Sequence, residues 1–240
     1  MKTTELTPEQ LQQRRQQAWR QAMAELCSAE TTIRIFNLPF TVEEVYNSLV
    51  SIYRVEVEKT GHKANMTPEL LRAIQETAEW IVRPKRVGLK LIGEKGLGKS
   101  TLIKAMRMFI NTYHRTFCPK DSVGIRWVDA GEIVEQCLRP DVQPTNTYEA
   151  FSITALGNSR GVIAIDDIGK EEPSVKYYGS TIMPIADIIQ LRANKDLPTI
   201  CITNLNEQEL LKAYGSRVVD RLKDFTTIMF TGTSHRNNRL

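Results

Sequence analysis

The stretch Gly93-Glu94-Lys95-Gly96-Leu97-Gly98-Lys99-Ser100 decides the fold of this chain. It has the spacing Gly-x-x-x-x-Gly-Lys-Ser/Thr, and it lies between an apolar run at Val87–Ile92 and a helical pattern that begins at Lys99. A strand, a glycine-rich loop and a helix in this order form a phosphate-binding loop, because backbone N–H groups and the helix N-terminus surround phosphate oxygens. The stretch therefore predicts a P-loop nucleotide-binding fold.

Each residue type in this loop suits one part of a nucleotide. Glycine tolerates positive φ, which lets backbone N–H groups turn toward phosphate oxygens. Lys99 would place a positive charge near the β- and γ-phosphates, and Ser100 would offer its hydroxyl to Mg²⁺. The loop alone indicates ATP or GTP, and we expect ATP with Mg²⁺. The residues expected to contact them are Gly93, Glu94, Lys95, Gly96, Leu97, Gly98, Lys99, Ser100 and Thr101.

After the loop strand, short apolar or β-branched runs alternate with helical patterns, as in a doubly wound α/β sheet. We expect five parallel strands with helices between them, and two long irregular stretches at Pro140–Thr147 and Lys170–Gly179. The predicted strands are Val87–Ile92, Ile125–Asp129, Val162–Asp166, Thr199–Thr203 and Thr226–Phe230. The predicted helices are Lys99–Tyr113, Gly131–Leu138, Thr181–Ala193 and Glu207–Ala213.

The region before the loop strand is predicted to be helical. Thr7 is placed to cap a first helix, Thr41 to cap a second with Glu44 as its capping-box partner, and Thr67 to cap a third over Pro68–Val82. The first helix carries a narrow apolar stripe, which would bind a partner or pack on its own domain.

Two carboxylates follow the apolar strand Val162-Ile163-Ala164-Ile165, namely Asp166 and Asp167. In many P-loop enzymes such a strand lies beside the loop strand. The first carboxylate then holds Mg²⁺, usually through water, and the second orients and deprotonates the attacking water. Asp also favours simple turns, but the upstream phosphate loop favours a catalytic pair.

A polar end also follows the buried run Cys201-Ile202-Thr203-Asn204. An Asn or Thr at such a strand end can contact the γ-phosphate or the attacking water. We favour Asn204 as this sensor, with Thr203 as the second choice.

Arg217 and Arg221 are four residues apart and would share one face of a short helix. An arginine delivered to a neighbouring subunit's γ-phosphate would stabilise transition-state charge, and its planar fork suits that contact. The alternative is an ion pair within the helix, with Asp220 or Asp224.

Composition is that of an ordinary globular protein, with 41% hydrophobic and 25% charged residues. A net charge of +4 permits nucleic-acid contact without establishing it. The four cysteines are not spaced as a Cys-x-x-Cys metal site. No apolar run approaches the about 20 residues needed to span a bilayer. We therefore expect a cytoplasmic protein with reduced thiols and no membrane association.

Together these motifs resemble the bacterial helicase loaders of the DnaC type and their relatives, the IstB-like transposition ATPases. The tail departs from the family at one position, where His235 replaces a Tyr. The resemblance implies a AAA+ ATPase domain over 86–240 without a C-terminal lid, preceded by a helical partner-docking region over 1–85. The matching stretches are Gly93–Thr101, Val162–Gly169, Tyr178–Arg192, Pro198–Asn206, Gly215–Leu222 and Gly232–Arg236.

The resemblance also implies an active site shared between subunits. Arg221 would be the finger that reaches a neighbour's nucleotide, with Arg217 supporting it, so we expect a homo-oligomer on ATP binding. The family holds single-stranded DNA along the inner face of such an assembly. Basic and aromatic residues suit that contact, although a solvated loop is the alternative. The candidates are Lys170, Lys176, Tyr177, Tyr178 and the region around Arg139.

Three functions stay open at this point. The first is an ATPase that loads or remodels a replicative helicase. The second is a transposition regulator of the IstB kind, with a transposase as its partner. The third is a P-loop kinase or a nucleotide-gated scaffold without turnover, and the pair Arg217 and Arg221 together with Asn204 argues against the kinase.

Overall fold

A computed structural model describes residues 14–20, 33–117, 124–138, 153–177 and 179–232. The chain forms two compact units, Met1–Thr32 and Ile33–Leu240. In the first unit residues 14–20 are helical, whereas the predicted cap at Thr7 lies outside the described residues. The predicted division at residue 85 does not coincide with the division between these units. The docking role of residues 1–85 stays a prediction.

A five-stranded parallel sheet forms the centre of the second unit, in the order β2-β3-β6-β1-β7. The described strands are β1 (Leu89–Gly93), β2 (Ile125–Asp129), β3 (Val162–Ile168), β4 (Val175–Tyr177), β5 (Ser180–Ile182), β6 (Thr199–Thr203) and β7 (Thr226–Phe230). The predicted fold class and the five predicted strands are confirmed. The main differences are that β1 begins at Leu89 and that β3 continues past Asp166.

The sheet order corrects one expectation. The acidic strand β3 does not lie beside the loop strand β1, because β6 pairs with both and lies between them. The carboxyl ends of the three parallel strands share one edge of the sheet. Asn204, which follows β6, is therefore placed between the phosphate loop and the acidic pair.

Helices cover both faces of the sheet. They are α1 (Val42–Glu58), α2 (Pro68–Val82), α3 (Lys99–Phe117), α4 (Ala130–Cys137), α5 (Ile153–Asn158), α6 (Pro184–Ala193), α7 (Glu207–Tyr214) and α8 (Ser216–Lys223). Alternate residues of each buried strand enter different cores. Val162 and Ala164 pack in the core that contains α1, α2 and α3, whereas Ile163 and Ile165 pack in the core that contains α4 to α8. Helices α1 and α2 are thus part of the core that packs on the sheet.

Helices α1 and α2 both begin where the sequence predicts. The Thr41 hydroxyl accepts a hydrogen bond from the Glu44 backbone N–H, and the Glu44 carboxylate accepts one from the Thr41 backbone N–H, which completes a capping box. Thr67 caps α2, which ends at Val82, before Pro84. Among the described residues, no helix is both long enough and apolar enough to cross a membrane.

Two short elements were not predicted. The stretch Lys170–Gly179 is not irregular throughout, because β4 and β5 pair as an antiparallel hairpin. Thr181 belongs to β5, so α6 begins at Pro184, with this proline in its first turn. Helix α5 is only six residues long, too short for its apolar spacing to show a period. The other predicted irregular stretch, Pro140–Thr147, lies entirely outside the described residues, as do the residues on either side of it.

Candidate nucleotide-binding site

The phosphate loop connects β1 to the first turn of α3. Gly93, Gly96 and Gly98 have φ values of 152°, 89° and 92°, which favour glycine. A Cβ on Gly93 would lie 2.3 Å from the Phe230 carbonyl oxygen, and a Cβ on Gly98 would lie 2.0 Å from the Tyr53 hydroxyl of α1. These two glycines are therefore required by close packing as well as by backbone conformation.

Lys99 directs its ammonium group back across the loop. Its Nζ donates to the carbonyl oxygens of Gly93 at 2.5 Å and Glu94 at 2.8 Å, and to Asn204 Oδ1 at 2.7 Å. The side chain is buried, and this burial lowers the pKa of the Lys99 ammonium, while the carboxylates of Asp166 and Asp167 oppose the shift. The ammonium is thus held by three oxygens at the mouth of the loop.

Asp166 is the buried carboxylate of the acidic pair. Ser100 Oγ donates to its Oδ1 at 3.2 Å, and Trp127 Nε1 donates to its Oδ2 at 3.2 Å. Burial raises the pKa of Asp166, and the hydrogen bond from Ser100 opposes that shift. A hydroxyl and a carboxylate that meet beside the phosphate loop are the oxygen donors that Mg²⁺ takes alongside phosphate and water. The two residues predicted to hold Mg²⁺ therefore fit that ion.

Asp167 lies at an irregularity in the sheet. The pairing of β3 with β6 shifts register between Ile165 and Ile168, and Asp167 has a φ of 58°, which is rare for a residue other than glycine. This backbone directs the two adjacent carboxylates differently, so Asp166 is buried while Asp167 is partly exposed. The Asp167 carboxylate forms an ion pair with Lys170. Asp167 lines the cavity beside the phosphate loop.

The two candidates for the sensor role, Asn204 and Thr203, have different hydrogen-bond partners. The Asn204 amide oxygen accepts from Lys99 and lines the cavity. The Thr203 hydroxyl instead donates to the Ile168 carbonyl at 2.7 Å and accepts from the Leu205 N–H at 3.0 Å. Thr203 is buried and holds the ends of β3 and β6 together, so only Asn204 faces the site.

One cavity of about 340 Å³ is lined by Lys99, Ser100, Asp167 and Asn204. One wall comes from the phosphate loop and the ends of β3 and β6, and the other comes from the C-terminal end of α1. Its lining residues are Tyr53, Glu56, Val57, Thr60, His62, Lys95, Gly96, Gly98, Lys99, Ser100, Thr101, Asp167, Lys170 and Asn204.

The wall from α1 was not predicted from the sequence. Glu56 is buried and forms ion pairs with Lys104 at 2.5 Å and Lys59 at 2.6 Å, and these lysines lower the pKa of its carboxyl. Thr60 Oγ1 lies 3.0 Å from His62 Nδ1. No motif marks these residues, and they precede the loop by more than thirty positions in the chain. Only their placement in the fold brings them to the cavity.

Arg217 and Arg221 lie on α8, outside this cavity. Both side chains are exposed, and neither forms an ion pair with any described residue. In the described part of the chain, Asp220 pairs with Lys223 instead. The alternative of an ion pair with Asp220 or Asp224 therefore finds no support in the structure.

The candidates for DNA contact have different positions. Lys170 is at the cavity and pairs with Asp167, whereas Lys176 is exposed on β4. Tyr177 belongs to β4, but Tyr178 and the region around Arg139 lie outside the described residues. Most of the tail motif that begins at Gly232 lies outside them as well.

The solved structures with a similar fold include two with a TM-score above 0.5. The chain is similar to the crystal structure of DnaI, with 20% sequence identity, a TM-score of 0.53, and coverage of 82% of this chain and 95% of that one. It is also similar to the crystal structure of the DnaC helicase loader, with 20% identity, a TM-score of 0.51, and coverage of 75% and 98%. In comparisons by sequence, no protein-family model matches the chain, and no curated protein matches it.

These likenesses, with a phosphate loop after the first strand of a parallel sheet, define a P-loop α/β fold like that of DnaI and the DnaC helicase loader. The fold is that of the DnaC-type proteins, and the resemblance predicted from the motifs is confirmed at the level of the fold. Fold alone does not assign an activity.

Proposed function

We propose that this chain is a AAA+ ATPase that hydrolyses ATP at the border between two copies of itself, and that it loads or remodels a replicative DNA helicase. One observation carries the proposal. Lys99, Asp167 and Asn204 converge on one cavity, while two exposed arginines on α8 lie outside it. Among the described residues that line this cavity, there are a phosphate-binding cation and a carboxylate base but no arginine.

ATP would occupy the cavity with its phosphates on the loop from Gly93 to Thr101. Lys99 would exchange its contacts with carbonyl oxygens for phosphate oxygens. Mg²⁺, held by Ser100 and Asp166, would neutralise charge on the phosphate oxygens. The end of α1 would then receive the nucleoside, because Glu56, Thr60 and His62 line the opposite wall.

Hydrolysis would use the groups at the ends of β3 and β6. Asp167 would orient and deprotonate the attacking water, since its carboxylate lines the cavity beside the loop. Asn204 would contact the γ-phosphate or that water, and its link to Lys99 holds it at the required edge of the sheet. Arg221, supported by Arg217, would reach the γ-phosphate in a neighbouring subunit.

A subunit-mixing assay tests the shared site. Arg221→Ala subunits keep a complete cavity but lack the finger, and Lys99→Ala subunits keep the finger but lack the phosphate-binding ammonium. We expect Arg221→Ala alone to lose turnover by about 10³-fold or more, the usual worth of an arginine finger. Lys99→Ala alone should also lose turnover, because it cannot hold the phosphates. Mixing the two should restore turnover, because one interface then combines an intact cavity with an intact finger.

The control is Lys223→Ala, which removes a different exposed cation from the same helix. It should keep turnover near that of the parent chain. Full activity of Arg221→Ala alone, or no recovery on mixing, would contradict the assignment of Arg221 as the arginine finger.

The helicase partnership is supported by the likeness in fold to the DnaC helicase loader. We expect the full chain to co-purify with a hexameric replicative helicase, and single-stranded DNA to stimulate its ATPase activity. Co-purification with a transposase instead would favour the role of the IstB kind. Nucleotide binding without any turnover would favour a scaffold.

A further inference from the structure

Glu171 connects two parts of the second unit that are distant in the sequence. One carboxylate oxygen accepts from the Gly169 backbone N–H at 2.9 Å. The other accepts from the hydroxyl of Tyr214. Glu171 and Tyr214, which we call the tether, thus join the loop after β3 to the end of α7.

One end of the tether adjoins the acidic pair. Gly169 follows Asp166, Asp167 and Ile168, and it has a φ of 98° in a turn closed by the Lys170 N–H and the Asp167 carbonyl at 3.1 Å. A Cβ on Gly169 would lie 2.4 Å from a methyl carbon of Leu205, so this turn packs tightly against the end of β6. A displacement of the turn would therefore also displace the Asp167 carboxylate, which its ion pair with Lys170 ties to the same turn.

The other end of the tether adjoins α8, which carries Arg217 and Arg221 and which we call the arginine helix. Tyr214 is the last residue of α7 and is buried. Gly215 follows with a φ of 79° and is shared by the ends of α7 and α8. Arg217 and Arg221 then lie in the first two turns of α8. Tyr214, whose hydroxyl donates to Glu171, thus lies one residue before Gly215, and Gly215 is the junction that sets the direction of α8.

The hydrogen bond from Tyr214 to the Glu171 carboxylate is of a strong kind. A hydrogen bond to a carboxylate is worth about twice a neutral one, and burial of the tyrosine limits competition from water. No step of the hydrolysis proposed above uses either residue. Since neither lines the cavity, a direct role in the chemistry does not explain them.

We propose that Glu171 and Tyr214 are positioning residues that couple the acidic pair of one subunit to the arginine helix that the same subunit presents to its neighbour. The inference rests on the proposed function, because it requires that α8 acts in trans. Through the tether, the state of one active site would adjust how well the next site is completed.

Subunit mixing separates the two directions of this coupling. In the mixture described above, Arg221→Ala subunits supply the cavity and Lys99→Ala subunits supply the finger. Tyr214→Phe is added to only one kind of subunit at a time. In the finger subunit it reports on α8, since that subunit's own cavity is inactive. In the cavity subunit it reports on the acidic pair, since that subunit has no finger.

We expect turnover of the mixture to fall about tenfold in each placement, which corresponds to the loss of one charge-assisted hydrogen bond. The dissociation constant for a fluorescent ATP analogue should stay within about twofold, because the tether does not line the cavity.

Glu171→Ala, at a partly exposed position, should show the same pattern, and the double variant should lose no more than Glu171→Ala alone. The control is Glu172→Ala, whose exposed side chain is one residue away, and it should leave turnover unchanged.

A loss confined to the finger subunit would mean that Tyr214 only shapes α8, and a loss confined to the cavity subunit would mean that it only shapes the acidic turn. Either result, or no loss in both placements, overturns the coupling. If the parent mixture itself has no turnover, the proposed shared site fails, and that failure is visible before any tether variant is added.

Discussion

Asn204 and Thr203 are adjacent at the end of β6, and their side chains have different tasks because adjacent strand residues point to opposite faces. The Asn204 amide is held against Lys99, and the Thr203 hydroxyl closes the gap between β3 and β6. From the sequence both were sensor candidates, since each has a short polar side chain at a strand end. The structure places only Asn204 at the cavity.

We therefore expect Asn204→Ala to lower turnover by about 10²-fold while ATP binding changes little, as for other groups that stabilise a transition state. Stopped-flow binding of a fluorescent ATP analogue and a steady-state ATPase assay measure the two quantities.

Thr203→Val is the contrasting variant, because it should change stability and not turnover. It leaves the Leu205 N–H without its acceptor and should lower the free energy of unfolding by about 1–3 kcal/mol. A large loss of ATP binding in Asn204→Ala would contradict this division of roles.

His114 predicts a pH dependence of stability. It is buried on α3, and neither ring nitrogen has a hydrogen-bond partner among the described residues. Burial lowers the pKa of His114 below 6.5. Below pH 6.5 the unfolded chain takes up a proton that the folded chain does not, so stability decreases as the pH falls.

We expect His114→Leu to make the free energy of unfolding less sensitive to pH. Urea unfolding at about pH 7.5 and about pH 5.5 measures the difference for each protein, and the difference should be smaller in the variant. Equal differences in the two proteins would show that His114 does not contribute.

Among the elements, the strands of the five-stranded sheet were predictable because most of them are short apolar or β-branched runs, as expected for parallel strands. The central strands β3 and β6 are buried along almost their whole length. The hairpin of β4 and β5 was not, because its strands are three residues long and Lys176 and Ser180 give no apolar alternation. The order of the sheet was not predictable either. Nothing local in Thr199–Thr203 states that β6 separates β1 from β3, since strand order depends on how the crossing helices pack.

Arg192 shows how a single residue joins several elements. It is completely buried on α6, and all five of its N–H groups donate at 2.8 Å. The acceptors are the Thr199 hydroxyl and four carbonyl oxygens, of Leu156, Ser159, Gly161 and Pro198. Arg192 therefore ties the starts of β3 and β6 to the end of α5.

We expect Arg192→Lys to lower the free energy of unfolding by about 3 kcal/mol or more, because an ammonium cannot reproduce the planar fork and leaves carbonyl groups unpaired. Urea unfolding checks this, with Arg160→Lys as the matched control. Arg160 is exposed, so its replacement should change stability by no more than about 0.5 kcal/mol. A similar small change for Arg192→Lys would show that the fork is dispensable.

For the whole molecule, the phosphate loop and the acidic pair were recognisable because each is a contiguous motif. The wall from α1, with Glu56, Thr60 and His62, was not, because only folding brings it across the sheet to the loop. The same holds for Glu171 and Tyr214, which are 43 positions apart. Sequence therefore predicts the parts of a site that one segment supplies, and the fold is needed for the parts that distant segments share.

The division of the chain leads to a prediction about truncation. Helices α1 and α2 bury large side chains in the same core as the sheet, and each fully buried one contributes about 1.5–3 kcal/mol. Their sum, about 10–20 kcal/mol, is as large as the about 5–15 kcal/mol by which a whole domain is stable. These side chains are Val45, Leu49, Tyr53, Leu70, Ile74, Trp80 and Ile81. A chain that begins at residue 86 should therefore fail to fold, whereas one that begins at Ile33 should fold and bind ATP.

Thermal unfolding by circular dichroism and binding of a fluorescent ATP analogue measure both truncations. We expect the chain over 33–240 to unfold cooperatively near the temperature of the full chain and to keep its affinity within about threefold, since α1 still closes the cavity. If residues 1–32 carry the proposed docking function, this shorter chain should no longer co-purify with a replicative helicase. A stable, ATP-binding fragment over 86–240 would instead show that α1 and α2 form a separate docking domain, as the sequence predicts.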